Sequence, residues 1–507
     1  MNETIRRKLA QAKRKIDARL GRAEGGQEPR GAGPEFRAET TEYEMSSRVA
    51  AISAGGIGAV KLLVERLGLP EAIDSRLHIL QRRRPYSESD HVLNIAYNLL
   101  AGGEVLDDIE IRRNDGAFLD ALSARSIPDP TTAGDFCRRF DAGRIHTLMD
   151  VINDTRVDVW RQQPPSFFAE TARIDADGTI VETTGERKTG MDLSYDGKWG
   201  YHPLLVSLAN TGEPLYIVNR SGNRPSEEGA PEYYADAIEL CRRAGFTDIL
   251  LRGDTAFSQT AYFDVWHDHG VRFVFGYDAN QRLVDDASAL AKDAYAELVR
   301  RAEETFEGRE QRAKQPRVKE EIVRERGYKN LRLEREDIAE FDYQPGKCER
   351  PYRMVVLRKT IVEERGQLLL GHSYRYFFYV TNDRKLSTRD VVREANNRCG
   401  QENLLDEMKN GVRALRAPLN TLEANWAYMV IASLAWSIKA WFALRLPTRG
   451  KSERGDRTRV LRMDFKTFVQ RFMLVPAQIL HTGRRLIFRL LSWRPDLPVL
   501  FRLLDAF

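Results

Sequence analysis

The sequence predicts an α/β protein: a layered sheet, interrupted by a β-rich insertion, with helical regions before and after it. Three observations carry this. Five strand-like runs lie between residues 172 and 275, the last three separated by helical stretches. A second, aromatic-rich set of strand-like runs occupies the interval 277–385. On both sides of this block, apolar residues recur at helical rather than strand spacing.

The sheet can be justified run by run. Ala172 to Val181 alternates as a half-buried strand does, and Thr183-Thr184-Gly185 then turns. His202 to Leu208 and Pro214 to Val218 read as two further strands joined by Asn210-Thr211-Gly212-Glu213, a hairpin-like connection. A helix is expected from Glu232 to Ala244, a buried strand from Asp248 to Asp254, a helix from Ser258 to His269 and a fifth strand from Val271 to Phe275.

The interval 277–385 is too long for a loop, so it reads as an inserted subdomain. A charged helical stretch (Ala287 to Glu307) and a highly charged segment (Arg309 to Glu336) precede strands at Tyr352–Leu357 and Tyr374–Val380. Ser387-Thr388-Arg389-Asp390 then reads as a capping box, starting a helix expected to run to Asn410-Gly411. On that helix Arg398, Glu402 and Lys409 would form one stripe, a carboxylate between two cations. Alone, such a stripe is commonly a solvated face laced by ion pairs.

The flanks read differently. Residues 1–40 form a basic arm and linker, suited to a phosphate backbone or to disorder. Residues 41–165 carry short helices with exposed arginines, including Gln81-Arg82-Arg83-Arg84, and are expected to be a helical DNA-binding region. Residues 166–276 and 386–415 are the two parts of the sheet domain, and 416–507 a helical, basic C-terminal region. Trp426 to Leu444 is long enough to span a bilayer, but Ser433, Ser437 and Lys439 favour a buried helix, and no membrane partner is expected.

Composition sets limits. The 507 residues carry 42% hydrophobic and 30% charged residues, with a net charge of +5, which permits nucleic acid as a partner without demanding it. The four cysteines are far apart and form no CxxC pair, so a zinc site or disulfide framework is not expected. The N-terminus lacks the apolar run of a secretory signal.

Three acids fall at comparable places: Asp177 along the first strand, Asp254 at the C-terminal end of the fourth, and Glu402 on the closing helix. Strand ends of open α/β sheets are where sites collect. Carboxylates meeting there repel one another unless hard divalent cations join them. Two such ions can activate water or a 3′-hydroxyl and stabilise the leaving oxygen of an in-line phosphoryl displacement. Singly, Asp-Gly-Thr and Gly-Asp-Thr are ordinary turn sequences; the order strand acid, strand acid, insertion, helix acid is more specific.

The segments IDADGTIVETTG, SYDGKWGYHPLLVSLANTGEPL, ILLRGDTAFS, YVTNDR and NNRCGQENLLDEMKNG resemble the DDE transposases of bacterial insertion sequences. The resemblance is to the IS-thirteen-eighty group of the IS-four-like superfamily and covers about residues 170–276 and 375–415. It implies a ribonuclease-H-like catalytic domain with Asp177, Asp254 and Glu402 as catalytic and metal-binding residues. It further implies two Mg²⁺ ions, replaceable by Mn²⁺, and a nucleoid-associated cytoplasmic location. Double-stranded DNA at terminal inverted repeats and target sites would be the substrate, held by a homodimer. Arg398 and Lys409 match the family's Tyr-x-x-Arg-x-x-x-Glu-x-x-x-x-x-x-Lys signature and would contact DNA phosphates; its tyrosine is Ala395 here. Asp175 and Asp177 share a strand face, and both are candidates for the first acid; the likeness favours Asp177, which precedes Gly178-Thr179. Tyr195, Lys198, Tyr201 and His202 lie in a matching segment, with His202 read as a structural histidine. A nuclease of the same fold, or a silent DNA-binding derivative, are the alternatives.

Overall fold

The structure, a computed structural model, describes residues 3–25, 43, 49–81, 85–185, 187–298, 329–365, 368–483 and 485–506. Most of the predicted N-terminal linker, Arg82 to Arg84, the charged segment from Arg309 to residue 328, and Arg484 lie outside the described residues.

Alternating apolar residues and a tight hairpin generate the first three strands: β1 (Ala172–Gly178), β2 (Leu204–Leu208) and β3 (Glu213–Val218). β2 pairs antiparallel with both β1 and β3. β4 (Ile249–Gly253) and β5 (Arg272–Tyr277) follow, with β1, β4 and β5 parallel in that order. The long interval then supplies β6 (Ala296–Glu297), β7 (Lys329–Tyr343), β8 (Tyr352–Arg365) and β9 (Leu368–Thr381). They do not form a separate sheet. β9 pairs with β5, giving one nine-stranded sheet of order β6-β7-β8-β9-β5-β4-β1-β2-β3.

Both faces of the central strands are apolar, so helices must cover both. β4 shows the division: Ile249 and Leu251 point into the main core, and Leu250 into a smaller cluster with Val274, Leu357, Val391 and Val392. Helix α3 (Ala230–Ala244) packs on the first face and α4 (Thr388–Asn396) on the second. Helices α1 (Glu88–Leu100), α2 (Ala142–Arg161) and α6 (Leu422–Leu444) complete the main core, α5 being Cys399–Asp406.

Helix α6 is long and apolar enough to cross a membrane, and its apolar stretch is entirely buried within this chain. Its indole donors explain how it docks. Trp426 donates to the Ile217 carbonyl and Trp436 to the Gly212 carbonyl, fastening α6 to the β2–β3 hairpin. Beneath them, the fully buried Glu213 accepts from Arg156 at 3.1 Å, Trp160 at 2.9 Å and Trp441 at 2.9 Å. A buried charge is tolerable only when so partnered.

Three expectations are corrected. The C-terminal region is not wholly helical: Ala477–Thr482 and Arg485–Leu490 form a hairpin that also pairs with Ala50–Ile52. The charged helix expected over Ala287 to Glu307 is instead Gln281–Ala289, a 3₁₀ turn at Lys292–Ala294 and the short strand β6, residues 299 onward lying outside the described set. The closing helix is not continuous. Ser387 caps α4 as expected, its side chain accepting from Asp390 N, but the chain turns at Asn397-Arg398 before α5 and ends in a π-helical turn at Glu407–Gly411. Asn397 and Gly400 are weak helix formers, and the Arg398 side chain between them donates to Asp177 on β1.

Candidate active site

Register decides what the strands bring together. Asp175 stands beside Arg252 across the parallel β1–β4 pair. Two residues further along each chain, past the last paired residues, lie Asp177 and Asp254, near enough for the charge of Asp254 to act on Asp177.

The inner pair is structural. Asp175 is fully buried and receives a bidentate fork from Arg252, at 2.7 and 2.8 Å. Arg252 also donates to Glu394 on α4 at 2.9 Å, and Glu394 accepts from Arg173 at 2.7 Å. This network ties α4 to the strands below the acids. The fully buried Tyr234 on α3 adds a hydrogen bond to the Arg252 carbonyl at 2.9 Å.

The outer pair is exposed to chemistry. Asp177 is mostly buried and accepts from Arg398 at 3.1 Å. Burial pushes its carboxyl up to about 6; Arg398 opposes this and the charge of Asp254 reinforces it. Asp254, just past β4, is half-buried and caps its own turn, accepting from Ala256 N at 3.0 Å. Lys409 is half-buried on the π-helical turn. Burial lowers its ammonium, with Lys198 acting in the same direction and Glu182 and Asp177 against it.

Arg398 thus reaches Asp177 rather than Glu402, and the one-helix stripe does not form. Glu402 is exposed and has no hydrogen bond or ion pair among the described residues. Its neighbour Gln401 takes the inward position, donating to the Leu205 carbonyl at 3.1 Å and accepting from Ser207. Leu205 is the cross-strand partner of Asp177, so α5 is docked beside the acids. Among the described residues, no group of three His, Cys, Asp or Glu side chains is placed to hold a metal ion.

Two contributors escaped the sequence reading. Arg252 was visible as a charge inside the apolar run Ile249-Leu250-Leu251, a sign of a buried partner; Gln401 left no such sign. His202 has both ring nitrogens engaged, Nδ1 with the Arg224 carbonyl at 2.6 Å and Nε2 with Ser226 at 3.4 Å. It also packs on Gly178, where a Cβ would stand 2.8 Å from Nε2.

A family model described as Transposase DDE domain group 1 matches residues 47–507. The chain belongs to the DDE transposases. No curated protein matches it. A cryo-EM structure of piggyBac transposase in a synaptic complex with hairpin DNA is similar at 12% identity and a TM-score of 0.34, covering 83% of this chain and 81% of that one.

DDE transposases use divalent metal ions. In this transposase the chemistry of the donor set fits such an ion at Asp177 and Asp254. These are two oxygen-donor side chains at adjacent strand ends, and burial together with the charge of Asp254 disfavours the Asp177 carboxylate in the absence of a cation.

Proposed function

We propose that this transposase cuts DNA strands at the ends of a mobile element and joins the freed 3′ ends to target DNA, on a ribonuclease-H-like sheet. The observation that supports this most is that Asp177 and Asp254, at the ends of the adjacent parallel strands β1 and β4, lie near enough for the charge of Asp254 to act on Asp177, with Arg398 on Asp177 and Lys409 within range of its charge. In this reading Asp177, Asp254 and Glu402 hold two Mg²⁺ ions, for which Mn²⁺ can substitute. The ions supply an activated hydroxyl and charge neutralisation at the phosphorus. Arg398 and Lys409 orient the phosphates, the guanidinium as a fork and the ammonium as a point charge. The DNA is double-stranded, from terminal inverted repeats and target sites, and a homodimer holds the two ends. We read the element as a bacterial insertion sequence of the IS-thirteen-eighty group, acting at the nucleoid.

The test uses DNA flanking the reading frame. With Mg²⁺, the protein is expected to release cut ends and then joined products, and Asp254→Ala to abolish both while retaining end binding. Hydrolysis without joining would reduce the protein to a nuclease. The exposure of Glu402 favours a second reading, a DNA-binding protein without catalysis. End binding by the unmutated protein with no cleavage in Mg²⁺ or Mn²⁺ would establish that one instead.

A further inference from the structure

Two arginines serve the two acids of β1, and they are held very differently. Arg252 gives Asp175 a two-pronged contact at 2.7 and 2.8 Å and adds a bond to Glu394 at 2.9 Å. Arg398 gives Asp177 a single bond at 3.1 Å, and its side chain has no other hydrogen bond or ion pair among the described residues. The two outer side chains are 17% and 14% exposed, whereas the inner pair is sealed. A guanidinium that binds a carboxylate firmly uses its fork and shorter bonds. The inner contact is a lock; the outer one can be exchanged.

Exchange needs only the Arg398 side chain, because the backbone is tied down on both sides of it. Arg398 stands at the joint between α4 and α5. Glu394 fastens α4 to Arg173 and Arg252, and Gln401 fastens α5 to β2. A long side chain on a fixed joint can pass between two acceptors while the helices stay in place.

The carboxylate it covers depends on that contact. Burial and Asp254 both disfavour the charge of Asp177, and its direct partners are Arg398 and the Gly178 amide. Lys409 acts on it at a distance, and its ammonium has no hydrogen bond or ion pair among the described residues. Arg398 is thus the one cation, among the described residues, bonded to either acid. A guanidinium and a divalent ion on one carboxylate repel, so each weakens the hold of the other. A DNA phosphate offers the guanidinium two oxygens for its fork in place of one.

We propose that Arg398 is a placeholder cation at Asp177, given up to a DNA phosphate, so that the acid pair binds divalent ions weakly until DNA is in place. This rests on the transposase reading and adds to it the order in which the site is filled. The coupling runs both ways: DNA strengthens ion binding, and the ion strengthens DNA binding by the same factor.

The test measures binding of Mn²⁺ without DNA, from the electron paramagnetic resonance signal of the free ion. Arg398→Gln is expected to bind Mn²⁺ about tenfold more tightly than the unmutated protein, within the usual range of coupling between sites. Arg398→Lys, which keeps the charge, should stay near the unmutated affinity, and Asp177→Asn added to Arg398→Gln should remove the gain. A labelled duplex from the DNA flanking the reading frame, followed by anisotropy, gives the reciprocal measurement. Ca²⁺, another oxygen-liganded ion, should tighten DNA binding by the unmutated protein about tenfold relative to Asp177→Asn, and by Arg398→Gln much less. Equal or weaker Mn²⁺ binding by Arg398→Gln, with Asp177→Asn still lowering it, overturns the placeholder and leaves the transposase reading standing. So does an unmutated protein in which Ca²⁺ and DNA bind independently. A lower melting temperature of Arg398→Gln with Mn²⁺ affinity unchanged would make Arg398 a structural link between α5 and β1, and overturns it too. Mn²⁺ binding that Asp177→Asn alters in no background, with or without the duplex, overturns both the placeholder and the ion site of the transposase reading.

Discussion

Asp175 and Asp177 lie on the same face of β1, yet one is locked by the Arg252 fork and the other meets Arg398 and Asp254. Their sequence spacing could show only that they share a face. The difference comes from depth along the strand, since Asp175 is still within the β4 pairing and Asp177 is beyond it. Separate consequences follow. Asp175→Asn leaves Arg252 with Glu394 alone in a buried setting and is expected to cost about 2–4 kcal/mol in a denaturant titration. Asp177→Asn removes a carboxylate that burial and Asp254 both disfavour, so its stability should be unchanged or increased at neutral pH while cleavage is lost. If Asp175→Asn were as stable as the unmutated protein, the structural assignment of the inner pair would fail.

At the scale of elements, what the sequence showed depended on how local the cause was. The five central strands were legible because alternation and turn residues lie within each segment, and the observed β1 to β5 fall inside or within two residues of the expected runs. The end of α4 was not legible. It depends on Arg398 reaching Asp177 and on Gln401 docking to β2, both more than 190 residues distant in sequence. The C-terminal hairpin was legible in principle. Leu486, Phe488 and Leu490 alternate with Arg485, Ile487 and Arg489, but their basic neighbours suggested a helix face instead. The joining of the inserted strands to the main sheet through β9 and β5 had no local signature at all. The short α5 gives an element-scale prediction. Gly400 lies in its first turn, with nothing within 4 Å of where a Cβ would stand. Gly400→Ala should therefore stabilise by about 0.5–1 kcal/mol, through lower unfolded-chain entropy and better helix propensity. A thermal shift in the opposite direction would show that α5 does not hold this helical turn in solution.

For the molecule as a whole, α6 is the element through which distant parts of the chain are stabilised together, and Lys439 is its one buried cation. The ammonium donates to the Leu461 carbonyl at 2.9 Å and sits 3.9 Å from the centre of the Trp436 ring. The acids facing it are Glu407, on the π-helical turn that also carries Lys409, and Asp464. Burial outweighs both and pushes the ammonium down to about 7 from its ordinary 10.5. Unfolding returns Lys439 to water, where it stays protonated to about pH 10. Between pH 7 and that limit the unfolded chain therefore binds more protons than the folded one, and this site's contribution to stability rises with pH. As pH falls through 7 the folded form must carry the buried charge, and that contribution is lost. The range amounts to on the order of 2–5 kcal/mol. Lys439→Met removes the titration together with one hydrogen bond and one ring contact, together worth about 1–2 kcal/mol. The variant is thus expected to be as stable as the unmutated protein or more so at pH 6, and to lose ground steadily toward pH 9. A stability difference that stays flat from pH 6 to pH 9 would mean that Lys439 keeps its proton in the fold, with Glu407 and Asp464 compensating its burial.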